Sequence, residues 1–216
     1  MKRTSRRSQI LYILSLAFLA FGLFNLAWGV WPSPTDAVQI TIPAGLLPAA
    51  PQGSAFTSQS DYAMNVSWPR WVRRGASGTL HLVLTDLERE PITAGTTRQA
   101  QVVLVEPALY PLEIDPMGSV QTALGDDQEL LLAWEVTGGQ QGSFPGKIFV
   151  SFGFYDEGAD GLVSIPVAVV DLHIQVVTLW GLGAGFASGL GIVSLVLWGM
   201  LFVLGRLSAV RQGWTS

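Results

Sequence analysis

The sequence predicts a membrane protein with two transmembrane α-helices flanking an all-β, immunoglobulin-like sandwich ectodomain. Three observations lead there. Two uncharged apolar runs, Ile10 to Trp31 and Val176 to Gly205, bracket the chain, and all sixteen acidic residues lie between them. The region between the runs alternates apolar and polar residues in short segments punctuated by Gly, Pro and Asp, the pattern of half-buried antiparallel strands. Its seven or so predicted strands fit the strand number of an immunoglobulin-like sandwich.

The basic tail 1–9 comes first, carrying Lys2, Arg3, Arg6 and Arg7, and no acid. The first span, 10–31, follows. Its 22 residues exceed the roughly 18 that mark a spanning helix. That length, and an end in Ala27-Trp28-Gly29-Val30-Trp31 in place of a small-residue cleavage site, favour an uncleaved signal anchor over a secretory leader. Within it, Ser15, Gly22 and Gly29 recur at seven-residue spacing, and Asn25 is the one strongly polar side chain. An amide in lipid either bonds across to a second helix or reaches interfacial water.

Residues 32–62 read as a Pro/Ala/Ser-rich extracytoplasmic linker, interrupted by a β-like patch at Val38–Ile42. The predicted sandwich covers 63–177. Its strands begin with Met64-Val66-Trp68 and Leu80-Leu82-Leu84, and continue through 98–106, 110–115, 128–136, 147–155, 162–169 and 170–177. Such a domain of about 115 residues is large enough to bury a core without cross-links, and the chain has no cysteine with which to make one. Trp134 reads as its large core aromatic.

The second span is predicted over 178–205, joined to the last strand by two or three residues, so that the sandwich should stand in a fixed orientation on that helix. It places Gly181, Gly185 and Gly189 at four-residue spacing, with Gly183, Ala187 and Gly191 as a parallel ridge and Ser194 just beyond. Small residues at that spacing let helix backbones approach closely in lipid. Trp28, Trp31 and Trp180 mark the outer boundary, and Tyr12 and Trp214 the inner one. The tail 206–216 carries Arg206 and Arg211. Basic tails around a middle with six basic and sixteen acidic residues put both termini in the cytoplasm and the centre outside, in the cell membrane. An acidic exported region argues against nucleic acid as a partner.

Chemistry is sparse in this sequence. His81 and His173 sit on the polar faces of predicted strands, without a G-x-S-x-G elbow or a zinc-ligand spacing. The acidic clusters 126–129 and 156–160 have the composition of turns, although the Asp156–Asp160 loop also holds enough carboxylates to help bind a hard cation. No cofactor, metal site or catalytic residue is expected. The candidate surface contact is Trp68-Pro69-Arg70-Trp71-Val72-Arg73-Arg74, where Trp and Arg, the side chains enriched at interface hot spots, are concentrated. The expected role is a non-catalytic accessory or scaffold subunit of a larger membrane protein complex. Its partners would be the lipid bilayer and other integral membrane subunits, or itself, through the second helix. The alternative is an extracytoplasmic sensor or ligand-binding module; with such short tails, its output would pass through another membrane protein.

Overall fold

The computed structural model describes residues 6–43, 61–87, 101–124, 129–156 and 161–213. Most of the predicted linker and the acidic clusters, except Glu129 and Asp156, lie outside them, as do Lys2, Arg3 and Trp214. By contacts the chain divides into two units. One comprises Ser33–Val72 and Ser77–Val177; the other comprises Met1–Pro32, Arg73–Ala76 and Thr178–Ser216.

The first unit is a β-sandwich of two five-stranded sheets. One sheet has the order β1-β2-β4-β8-β6, from Thr35–Ile42, Tyr62–Pro69, Ser77–Asp86, Glu129–Thr137 and Glu113–Asp115. The other has the order β3-β10-β9-β5-β7, from Trp71–Arg73, Gly161–Val177, Gly142–Asp156, Gln101–Ala108 and Val120–Leu124. The runs β2-β4-β8-β6 and β10-β9-β5 reproduce the A-B-E-D and G-F-C orders of the immunoglobulin fold. Between the sheets lie Met64, Val66, Leu80, Leu82, Leu84, Trp134 and Val136 from the first and Val103, Val105, Ile148, Val150, Phe152 and Ile174 from the second. Each set alternates along its strand, as a two-residue period requires of a sheet with one buried face. Tyr62 of β2 meets Phe152 of β9 edge to face at 5.4 Å, and Trp134 is 1% exposed at the centre.

Several elements differ from the sequence reading. The patch at Val38–Ile42 is part of β1, an edge strand in full antiparallel register with β2, so the sandwich begins near Thr35 instead of residue 63. Ile42, 2% exposed, belongs to its core. The two strands predicted over 162–177 are one strand, β10, whose register against β9 shifts between Pro166 and Ala168. Proline lacks an N–H for the ladder, and a bulge is where a long strand accommodates it. The predicted strand at 110–115 contracts to Glu113–Asp115, while β3 and β7 are additional.

The second unit contains α1, Arg6–Val30, and α2, Ala184–Gly213. Each includes a stretch long and apolar enough to cross a membrane, Gln9–Val30 and Ala184–Leu207. Six residues, 178–183, separate β10 from α2, rather than the two or three expected. They form a turn in which Leu179 and Leu182 exchange backbone hydrogen bonds around Trp180 (φ 52°) and Gly181 (φ 78°). Gly181 therefore sits in a left-handed turn and not on the helix.

Candidate functional site

The two helices run antiparallel, with Gly22 against Gly191 and Leu195, Gly29 against Ser188, and Gly205 against Tyr12. The closest approach is reciprocal. A β-carbon on Gly22 would lie 3.0 Å from the Gly191 carbonyl oxygen, and one on Gly191 would lie 3.1 Å from that of Gly22. Backbones this near gain van der Waals contact and Cα–H···O attraction. Of the two predicted ridges, Ala187 and Gly191 thus face α1. Gly183 precedes the helix beneath the 73–76 turn, where a β-carbon would come within 2.6 Å of the Arg74 carbonyl oxygen. Gly185 and Gly189 point away from the pair, with nothing within 4 Å of a β-carbon at either.

Asn25 is fully buried, not at a watery interface. Its Nδ2 donates to the Phe21 carbonyl of its own helix at 2.8 Å, while Oδ1 has no partner. Ser15 and Ser194 likewise bond back to their own helices, at Tyr12 and Leu190. The bonds that Ser15, Asn25 and Ser194 donate all stay within their own helices, and the close approach of the two helices is made at glycines.

The Trp68–Arg74 segment is divided between the two units. Trp68 and Val72 are core residues of the sandwich. Arg70 clasps Asp36 of β1 through Nη2 at 2.6 Å and Nε at 3.1 and 3.2 Å, and that guanidinium holds the Asp36 carboxyl below the usual carboxylate range. Trp71 is half-buried. Arg73 is only 8% exposed. Its guanidinium lies over the Trp28 ring at 5.5 Å and donates from Nη2 to the Trp31 carbonyl, at the C-terminal end of α1. Burial lowers its pKa from the ordinary arginine value. The next carbonyl, of Arg74, accepts from the Ala184 N–H at 3.0 Å, the first residue of α2. The turn is closed by Ala76 N–H to Arg73 C=O at 2.9 Å, with Gly75 at φ 72°. Arg73–Ala76 therefore serves both helix ends, offering a cation and donor where carbonyls are left over and an acceptor where amides are. The predicted contact patch is accordingly not a continuous surface. Trp68 and Arg73 are inside, and among its charged residues Arg70 and Arg74 are exposed.

On the face of α2 turned away from α1, Gly185 and Gly189 floor a groove of about 820 Å³. Phe186, Leu190 and Val193 wall it, and Arg74 and Gly75 stand at one end. Trp180, beside it in sequence, stacks on Phe21 at 5.3 Å.

The two outward faces of the sandwich are unlike. On the second sheet, Lys147 pairs with Asp171 at 2.8 Å, and Ser143 Oγ contacts His173 Nε2 across β9 and β10. The carboxylate next along that row is thus engaged by lysine, and Ser143 lies on an ordinary strand, not on the strained turn that presents a nucleophile. On the first sheet, two cross-strand rows, Ala37-Ser67-His81-Ala133 and Gln39-Asn65-Val83-Leu131, cover four strands without a lysine, arginine, aspartate or glutamate. Leu131, 62% exposed, stands in the second row, and Glu129 and Glu135 flank the face. The sequence held the signal for this face in the polar phase of each alternating segment, which lacks lysine, arginine and acid throughout these rows. Among the described residues, no cluster of three or more His, Asp and Glu side chains could hold a metal ion.

No family model and no curated protein matches the chain. Among solved structures, the CARDB domain of PF1109 from Pyrococcus furiosus, in complex with di-metal ions, is 17% identical. That match covers 56% of this chain and 94% of that one, at a TM-score of 0.34. A complex of zinc 2-glycoprotein and prolactin inducible protein from human seminal plasma matches at 16% identity over 53% of this chain and 93% of that one, TM-score 0.35. A PapD-like domain of human CEP192 matches at 9% over 51% and 82%, TM-score 0.31. Likenesses this low carry no argument about activity or descent; the sandwich is assigned from its own strand order, register and shared core.

Proposed function

We propose that the chain is a non-catalytic accessory or scaffold subunit of a membrane protein assembly. Its two helices span the bilayer as a hairpin with both termini in the cytoplasm, and its sandwich holds a partner subunit on the outer side. The observation that carries this reading is the uncharged face of β1, β2, β4 and β8. In an exported region with a net charge of −10, a charge-free centre with an exposed leucine and an acidic rim has the anatomy of a protein interface. The membrane placement is supported by the two apolar helices and the basic tails around an acidic middle. The test is purification of the full chain in mild detergent, with mass spectrometry of whatever stays bound. Leu131→Glu should release the partner while leaving circular dichroism unchanged; equal recovery with this variant would remove the proposed face.

A second reading, an extracytoplasmic sensor acting through a membrane partner, draws support from the Arg73–Ala76 turn. That turn joins β3 to β4 in the chain and contacts both helix ends, so a ligand that shifted it would disturb both caps. A ligand-dependent change in hydrogen exchange at Trp31 and Ala184 would favour this reading over a static scaffold.

A further inference from the structure

We propose that the partner held on the face of β1, β2, β4 and β8 docks by strand addition, pairing an extended segment of its own with the free edge of β1. This docking mode rests on the reading of that face as an interface, and it specifies what the partner must bring there. Two sheets have four edge strands, and β1 differs from the other three. β3 and β6 have three residues each and β7 has five. β6 also lies between Pro111 and Pro116, and it begins and ends in an acid. β1 has eight residues in unbroken register with β2, without proline, lysine or a bulge, the usual devices that blunt a sheet edge. Its one charge, Asp36, is held by Arg70. Among the described residues, no strand pairs with its other side.

Two hydrogen bonds fix which main-chain groups that edge presents. Arg70 N–H donates to the Pro34 carbonyl at 2.9 Å, and on the other side of β2 Leu87 N–H donates to the Asp61 carbonyl at 2.8 Å. Opposed residues of an antiparallel ladder are alternately bonded and non-bonded. Counting along the register from either bond, Asp36, Val38, Ile40 and Ile42 bond to β2, while Thr35, Ala37, Gln39 and Thr41 turn their N–H and C=O groups outward. Pro69, with no N–H to donate, accordingly stands opposite Thr35 in a non-bonded pair. A segment laid along Thr35 to Thr41 can bond all of these outward groups.

The side chains set the chemistry of that segment. Ala37 and Gln39 begin the two rows that lack lysine, arginine and acid, whereas Val38 and Ile40 pack on the core and stay only half-buried at its rim. A strand with apolar residues in the phase of Val38 and Ile40, and uncharged residues in the other, closes that rim and carries both rows onto the partner.

The probe is a capped octapeptide with the sequence of Thr35–Ile42, which has this alternation, added to the full chain in nanodiscs. Residue-resolved hydrogen exchange on the chain alone should find the amides of Ala37, Gln39 and Thr41 open and those of Val38 and Ile40 protected. The peptide should slow the three open amides by about tenfold or more. Docked antiparallel about Val38, its own alanine and glutamine bond to Gln39 and Ala37 of the chain, so a peptide N-methylated at those two residues should protect none of them. Gln39→Pro removes an outward N–H and no bond to β2, so it should leave circular dichroism unchanged and weaken the peptide about tenfold. No protection by the parent peptide, or equal protection by the methylated one, would overturn the proposal. So would amides of Ala37, Gln39 and Thr41 already protected in the chain alone. Protection independent of concentration means that the chain covers its own edge, and protection that rises with the number of chains per nanodisc means that the occupant is a second copy. Co-purification separates strand addition from the face itself. Loss of the partner with both Leu131→Glu and Gln39→Pro supports strand addition, and loss with Leu131→Glu alone refutes it while keeping the face. Recovery unchanged by Leu131→Glu refutes the face and this use of the edge with it.

Discussion

Arg73 shows how much one side chain can do when it is buried beside a helix end. Its guanidinium combines an aromatic face, a terminal carbonyl and removal from water, each of which strengthens the others as the local dielectric falls. Arg73→Met should lower stability in detergent by about 2–3 kcal/mol, the range for a charged hydrogen bond with part of its cation–π contact, measured by thermal or chemical unfolding. Asn25 makes the opposite case. Its single hydrogen bond is intrahelical, so Asn25→Ala should cost below about 1 kcal/mol, in keeping with the ~0.6 average for polar pairs in membranes. Gly22→Leu should cost about 2 kcal/mol or more by overpacking the Gly191 contact. A result that reversed this order would mean that polar bonding, not close approach, holds the helices. Both kinds of residue were visible in the sequence as candidates. Their ranking was not, because a one-dimensional spacing does not tell whether an amide bonds its own helix or its neighbour.

Asp36 and Arg70 offer a titration at the same scale. The hydrogen bonds from Arg70 favour the ionised carboxylate, so the Asp36 midpoint in the folded chain lies below the ordinary carboxylate value. The stability this pair contributes is present above the unfolded-state value and is lost as pH falls through the lower folded one. Both groups are solvated and the contribution is screened by salt. Arg70→Ala should raise the Asp36 midpoint, as read by carbon-detected NMR titration; an unmoved midpoint would contradict the clasp.

At the scale of the element, the strands with a long alternating phase were legible and those defined by context were not. β2, β4, β8 and β9 announce themselves by period. β1 is brief and lies among prolines and alanines, so its strand character comes from pairing with β2. Ile42→Ala should therefore destabilise the sandwich by about 2–4 kcal/mol, as a core truncation does, although Ile42 lies in a stretch that reads as linker. Unchanged denaturant midpoints would return β1 to that linker. The start of α2 was hidden for a related reason. Leu179-Trp180-Gly181-Leu182-Gly183 has the hydropathy of a span and the glycine spacing of a ridge, yet two positive φ angles turn the chain there. Gly181→Ala should cost about 1–2 kcal/mol through left-handed strain, while Gly185→Ala, on open helix surface, should cost nothing measurable.

For the molecule as a whole, the sequence distributed its charges more plainly than its contacts. Two apolar runs mark the two long helices in advance, and the alternating strands between them mark a sandwich. What they leave open is which outward face is free of lysine, arginine and acid. That required the register, since the uncharged rows join residues from four strands as distant in sequence as Ala37 and Ala133. The strand order also set the two faces apart, placing Lys147, Asp171 and His173 on one sheet and no lysine, arginine or acid in the rows of the other.

The Arg73–Ala76 turn has a consequence for portability. The helical unit is built from three separated stretches of chain, and the middle one is the turn between β3 and β4. Grafting α1 and α2 onto a foreign β domain would transplant both helices but leave behind the guanidinium at the end of one and the carbonyl at the start of the other. Such a chimera should fray at the end of α1 and the start of α2, and restoring Trp71–Ser77 between two strands of the host domain should repair it. The two helices are thus not an interchangeable pair; part of their wiring lies between β3 and β4, far from either helix in sequence.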